Sequence, residues 1–556
     1  MMGHPQEVRI VATHQVNLDC LIQREDFESS AEGSIIGSEP LFKVEELQRD
    51  KLYFSVLRKP DFQRMTANWS PQMIVGFIRS FLDGDLIPSI IIWHSKKSGK
   101  VFVIDGAHRL SALVAWANDD YGDGEISRKA WNYDVPRAQA DLHRKTKTLV
   151  DTEIGTFGQL FHIGLHGSST DDQKIKRARA IATRQPHIQR VDGDAEKAEK
   201  SFFTINSNPI TIDDTELSVI RARAKPNVIA TRALIAAGKG HQYWAKFTER
   251  SKQIEQVAAD ANTLLFGDIF EIGAQSPDLP RAGQPYSDEA FKMVLDLVNR
   301  VNKLTPAMWR VASPEDVKTS RSKAAKVTVI DDDRDGSATV ECLEKVSKTA
   351  RLVTGNDPGS LGLDHAVYSY GGTGKFHPVA YLAAVEFAQE LQSQDKLKAF
   401  TTVRAKLEEF LVRHKSFINK LVHGKGSRSR PLESLVLMHR CIFDALLDGK
   451  TTDSEIRSVL DSEPKLKQLQ EYERNDGSPV RKRFQKNVVR AKVVETTLAG
   501  RERCAICKAR MSPSARTKDH KNRMADGGRG EIENLQFAHA YCNNSREALP
   551  TIDWQP

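Results

Sequence analysis

Two short metal-ligand knuckles near the end of the chain constrain it most. Cys504 and Cys507 form a C-x2-C pair, and His539 and Cys542 form an H-x2-C pair after 31 intervening residues. Together they offer four soft ligands, the number that a closed tetrahedral zinc site takes. A segment this small cannot stabilise a core unaided, so the metal would supply folding energy. Cys20, Cys342 and Cys441 are isolated in sequence and read as ordinary buried thiols. Six cysteines in 556 residues are too few for a disulfide framework and fit a reducing cytosol.

The same tail is basic. Residues 481–530 hold 15 Lys or Arg against four acids, a surplus of +11 that exceeds the +8 of the whole chain. That density suits a phosphate backbone, because each neutralised phosphate releases a counterion. A solvated helix face would read the same way. The chain is 40% hydrophobic and 28% charged, which excludes a wholly disordered chain, a collagen-like fibre and a small disulfide scaffold. No run of eighteen apolar residues occurs, so no membrane span is expected. The opening residues lack a secretory-signal pattern, which agrees with a cytoplasmic protein. At roughly 150 residues per domain, the length suggests about three or four domains.

Along the chain, residues 1–45 are irregular and polar. SPQMIVGFIRSFLDG predicts a helix with Ser70 as N-cap, Pro71 at its first position and Gly84 beyond its end. IPSIIIWH and KVFVID predict buried strands, and GAHRLSALVAWAN a helix entered straight from the second strand. Residues 226–480 are expected to be mostly helical and to connect two functional ends. Within them, SPEDVKTSRSKAAK, IDDDRDGS and GNDPGSLGLDH read as linkers or surface insertions. The aspartates from Asp331 to Asp335 imitate a calcium loop, but Cys342 stands where its bidentate Glu belongs. GGTGKF lacks the first glycine and the final hydroxyl of a phosphate-binding loop.

Between the knuckles lie Asp519, His520, Gly527, Gly528 and Asn534, and Asn543 follows the last cysteine. This pattern resembles the zinc-stabilised HNH endonucleases with a ββα-metal core. It departs from them in placing His539 at a knuckle position that is usually Cys, and Asn543 where many members have His. The resemblance implies structural zinc on Cys504, Cys507, His539 and Cys542. It implies Mg²⁺ or Mn²⁺ on Asp519 and Asn543, hard oxygen ligands that suit such ions. It makes His520 the general base, because imidazole exchanges protons near neutral pH. It makes Asn534 the residue that orients the imidazole. Lys518, Lys521 and Arg523 would contact the DNA phosphates.

A second resemblance lies upstream. Phe62-Gln63-Arg64, Trp69-Ser70, Ile87-Pro88 and Asp105-Gly106-Ala107-His108-Arg109, followed by Phe203, Asn206, Glu216 and Leu217, resemble the N-terminal domain of GmrSD-type and SspE-type defence nucleases. That domain is a branch of the ParB/sulfiredoxin-like fold. It implies a site for GTP, ATP or CTP, with possible hydrolysis, at Gln63, Arg64, Asp105, Gly106, His108, Arg109 and Asn206. Gly106 permits a sharp strand-to-helix turn, and the helix start offers N–H groups to an anion.

The expected architecture is an α+β multidomain chain. It comprises an arm (1–45), a ParB-like α/β sensor or NTPase domain (46–225), a helical connecting region (226–480) and a ββα-metal HNH domain (481–556). The expected function is metal-dependent DNA cleavage in prokaryotic anti-phage restriction, controlled by sensing of a nucleotide or of DNA modification. A double-strand cut would need a homo-oligomer or two visits. A ParB-like DNA-binding regulator with a non-catalytic zinc module, or an RNA nuclease, fits the same residues.

Overall fold

The computed structural model describes residues 16–25, 43–60, 69–131, 133, 135, 137–167, 169–206, 214–239, 243–267, 288–311, 328–423, 431–470 and 486–549. The chain divides into two compact units. The first holds Met1–Ser251 and Thr305–Gly336, and the second Lys252–Leu304 and Ser337–Pro556. The architecture is α+β, as expected, and no helix among the described residues is long and apolar enough to cross a membrane.

The first unit is built on a mixed sheet of β1 (Arg24–Glu25), β2 (Leu57–Pro60), β3 (Ile90–His94), β4 (Val101–Asp105) and β5 (Ile188–Arg190), in the order β1-β2-β4-β3-β5. β2 runs parallel to β1 and β4, and β3 is antiparallel to β4 but parallel to β5. The strand period of two sends Val101 and Val103 to one core and Phe102 and Ile104 to the other. A sheet covered on both faces explains why the strands read as continuous apolar runs.

The helix Pro71–Asp83 starts at Ser70, whose hydroxyl accepts the Met73 N–H, and stops at Gly84 with φ of 90°. The helix Ala107–Asn118 leaves β4 through Gly106 with φ of 88°. Leu110 to Ala117 are all buried. Within that run, Trp116 donates its indole N–H to the Gly155 carbonyl at 3.1 Å and packs edge-on to Phe157.

The second unit is a helical body that carries a small C-terminal module. Its helices include Ser337–Thr354, Pro378–Ser393, Leu397–Arg413, Ser416–His423 and Pro431–Leu447, the last four where 3.6-residue periodicity predicts them. The module pairs β6 (Thr517–His520) with β7 (Leu535–Ala538) as an antiparallel hairpin, Thr517 opposite Ala538 and His520 opposite Leu535. A short helix, Ala540–Asn544, follows. The order strand, strand, helix is the expected ββα.

One expectation fails here. GNDPGSLGLDH is a surface stretch only in its first half: Asn356 to Gly359 are exposed, but Ser360, Leu361, Leu363 and Asp364 are buried. The N–H groups of Leu361 and Leu363 pair with the carbonyls of Leu352 and Val353. Its Gly and Pro imitate a solvent loop, but burial is tolerated wherever backbone polar groups find partners.

Candidate metal centre and active site

The knuckle turn closes through Lys508 at φ of 61°, with the Cys504 N–H on the Ala509 carbonyl at 2.9 Å. The Ala505 N–H bonds the Phe537 carbonyl at 2.9 Å, which fixes the knuckle against β7. Cys504, Cys507, His539 and Cys542 are all buried, and one ligand atom from each lies within 4.8 Å of the others. The His539 Nδ1 stands 3.4 Å from the Cys507 sulfur, while Nε2 lies 3.1 Å from the Arg510 carbonyl. This leaves Nδ1 as the nitrogen facing the sulfurs and gives Nε2 an outer partner, the usual arrangement of a metal-bound imidazole. Burial opposes ionisation of Cys504, yet hydrogen bonds with Cys507, Cys542 and His539 outweigh it and hold that thiol well below the ordinary range. The donor set fits a metal ion.

At the far end of β6, Asp519 is buried and His520 half-buried. The Asp519 carboxylate accepts the Gln536 side-chain N–H at 2.6 Å. Arg546 places one guanidinium nitrogen 3.3 Å from both of its oxygens. The same guanidinium donates to the His520 carbonyl and, at 2.9 Å, to the Lys521 carbonyl. Sequence reasoning missed Arg546; its signal was a lone cation three residues after Asn543. The Asn543 side chain donates to the Lys518 carbonyl at 3.0 Å, so the short helix is tied to the strand that carries Asp519 and His520.

Asn534 does not meet the expectation of a hydrogen bond to His520. Its amide donates to the Asn522 carbonyl at 2.9 Å and the Arg529 carbonyl at 2.8 Å, and its oxygen accepts the Asn522 N–H at 2.6 Å. It is a clasp for the loop between β6 and β7. The loop is tight: a side chain at Gly528 would start 1.8 Å from the Asn522 carbonyl oxygen. The three cations proposed for phosphate also differ in placement. Lys518 is exposed. Lys521 reaches back to the Glu533 carbonyl at 2.8 Å. Arg523 is held between Asp526 and Glu547.

In the first unit, Asp105 ends β4 and pairs with Arg109 at 2.7 Å. Arg109 also donates to the Ser89 carbonyl at 3.0 Å. His108 stacks on Trp69, with ring centroids 5.7 Å apart. Asp105, Gly106, His108 and Arg109 therefore gather at one strand-to-helix turn. Asn206 closes the helix Ala195–Asn206, and Gln63 and Arg64 lie outside the described residues. Asp333 spends its carboxylate on the Gly336 N–H, and Gly374 packs against the Arg490 main chain.

Residues 43–223 match the family model of the GmrSD restriction endonuclease N-terminal domain, and residues 504–548 match that of the HNH endonuclease. The chain thus carries a domain similar to the GmrSD N-terminal domain upstream of one similar to an HNH endonuclease domain, the latter holding the knuckles. Neither curated proteins nor solved structures give a match.

Proposed function

We propose that this chain is a divalent-metal-dependent DNA endonuclease of restriction or anti-phage defence. Its N-terminal domain binds a nucleoside triphosphate or reads DNA modification, and so controls cleavage. The observation that carries the catalytic half is the hydrogen bond from the Asn543 side chain to the Lys518 carbonyl, which ties the short helix to the strand bearing Asp519 and His520, beside a buried Cys/His cluster.

The roles follow from the chemistry. Cys504, Cys507, His539 and Cys542 would hold zinc, which would supply folding energy to the module. His520 takes the proton from a water that attacks phosphorus, and the P–O bond on the far side breaks. Asp519 and the side-chain oxygen of Asn543 would hold Mg²⁺ or Mn²⁺, and the ion would supply charge neutralisation at the phosphate and the leaving oxygen. Gln536 and Arg546 keep the Asp519 carboxylate in place. Lys518 supplies phosphate contact from the exposed side of β6.

At the N-terminal turn, the first N–H groups of the helix Ala107–Asn118 and the guanidinium of Arg109 suit a phosphate. Calorimetric titration of the full chain with GTP, ATP and CTP, with and without Mg²⁺, tests this half. Heat with at least one triphosphate is expected, and none with any would end the nucleotide claim. Plasmids with and without modified bases or phosphorothioate linkages, each given every triphosphate, test the control of cleavage.

A further inference from the structure

The metal centre has a support far away in sequence. Glu408, on the helix Leu397–Arg413, is fully buried. One of its carboxylate oxygens accepts the Arg510 N–H at 3.1 Å. The carbonyl of that same residue faces Nε2 of the knuckle ligand His539. The other oxygen takes the Arg404 guanidinium at 2.7 Å and the Tyr368 hydroxyl at 3.3 Å. Arg404, equally buried, fans its remaining nitrogens onto the Leu361 and Gly362 carbonyls at 2.6 and 3.1 Å.

Those two carbonyls belong to the segment that composition presents as a linker. It packs on the knuckle: a Cβ on Gly362 would lie 2.6 Å from Ala515 and 3.4 Å from the His539 ring. Further bonds run the same way. The Tyr541 N–H reaches the Ser360 carbonyl at 3.0 Å, Arg501 pairs with Asp364 at 2.8 Å, and Arg503 pairs with Glu409 at 2.7 Å. A ligand orientation held through a buried carboxylate is an outer-shell interaction, and such partners tune metal affinity.

We propose that Glu408 is a positioning residue of the metal centre, and that the helical body and the knuckle module form one cooperative unit whose order depends on the bound ion. The inference rests on the zinc reading above. Both Glu408 oxygens act as acceptors, which a carboxylate supplies and an amide cannot, since its nitrogen would face a donor.

The test uses the full chain. Zinc is withdrawn with a graded chelator and followed by a colorimetric reporter, and hydrogen exchange is measured before and after. Wild type is expected to hold one zinc. Glu408→Gln is expected to bind it on the order of 10–100-fold more weakly. Asp453→Asn, which breaks an ion pair to Arg413 elsewhere in the body, should leave affinity unchanged. Chelation should speed exchange at 361–368 and 400–411 as well as at 504–511. If Glu408→Gln does not fold, Tyr368→Phe, which removes one bond to the carboxylate, should weaken zinc a few-fold. A zinc-loaded wild type with zinc held equally by these variants overturns the role of Glu408. Exchange that rises at 504–511 but not at 400–411 overturns the cooperative unit. A wild type that holds no zinc overturns the zinc reading itself.

Discussion

At the residue scale, the most consequential group is one that no motif announces. Arg546 gives a single guanidinium to the Asp519 carboxylate and to two consecutive main-chain carbonyls at the end of β6. Removing it would leave a buried carboxylate with one neutral partner and would free the strand end. Arg546→Met is therefore expected to lower cleavage by about 10–100-fold, the usual cost of losing an outer partner. Steady-state rates across a Mn²⁺ titration would separate weaker metal use from slower turnover. Asn534 makes a different prediction from the one its sequence position implies. Because its amide clasps Asn522 and Arg529, Asn534→Ala should loosen the whole β6–β7 loop. Faster hydrogen exchange across 522–529 together with lost activity is expected; lost activity with unchanged exchange would restore a direct role beside His520.

At the scale of elements, strands, caps and knuckles were legible because each is a local device. Ser70 and Gly84 bracket their helix as their residue types demand, and the alternation in VFVID is the sheet's two faces. What stayed hidden was non-local. Gly-Pro-Ser composition around 355–364 gives no sign that Arg404, on a helix downstream, would satisfy its carbonyls. The family resemblance that sets Asn534 beside His520 does not reveal that the loop between β6 and β7 takes its amide.

The buried histidines give a pH prediction at this scale. His439, among Tyr368 and Phe387, is pushed down to about 4 by burial, as is His143 in the first unit. For His377, burial is reinforced by His423, Lys375 and Lys415, and the value again falls to about 4. The unfolded chain binds these protons near pH 6.5 and the folded chain only near 4. The unfolded state therefore holds more protons in between. Stability is full above about pH 6.5 and falls as pH drops toward 4, by up to about 3 kcal/mol for His439 and His143 and by less for the more solvated His377. Thermal melts from pH 7.5 to 4.5 should show falling midpoints, and His439→Leu should flatten part of that slope. Midpoints that hold steady to pH 4.5 would contradict the burial of neutral imidazoles.

At the scale of the molecule, the first unit carries a strand-to-helix turn with Asp105, His108 and Arg109, and the second carries a buried Cys/His cluster beside a hairpin strand that bears Asp519 and His520. The family matches fall on these same two regions. One assay tests cleavage most directly: the whole chain and His520→Ala, each with zinc content measured, are incubated with supercoiled plasmid in Mg²⁺ or Mn²⁺ across the triphosphate and modified-DNA panel. The expected result is nicked or linear product from wild type under at least one condition, none after metal-ion chelation, and none from His520→Ala at an unchanged zinc content. Equal cleavage by His520→Ala would contradict the account.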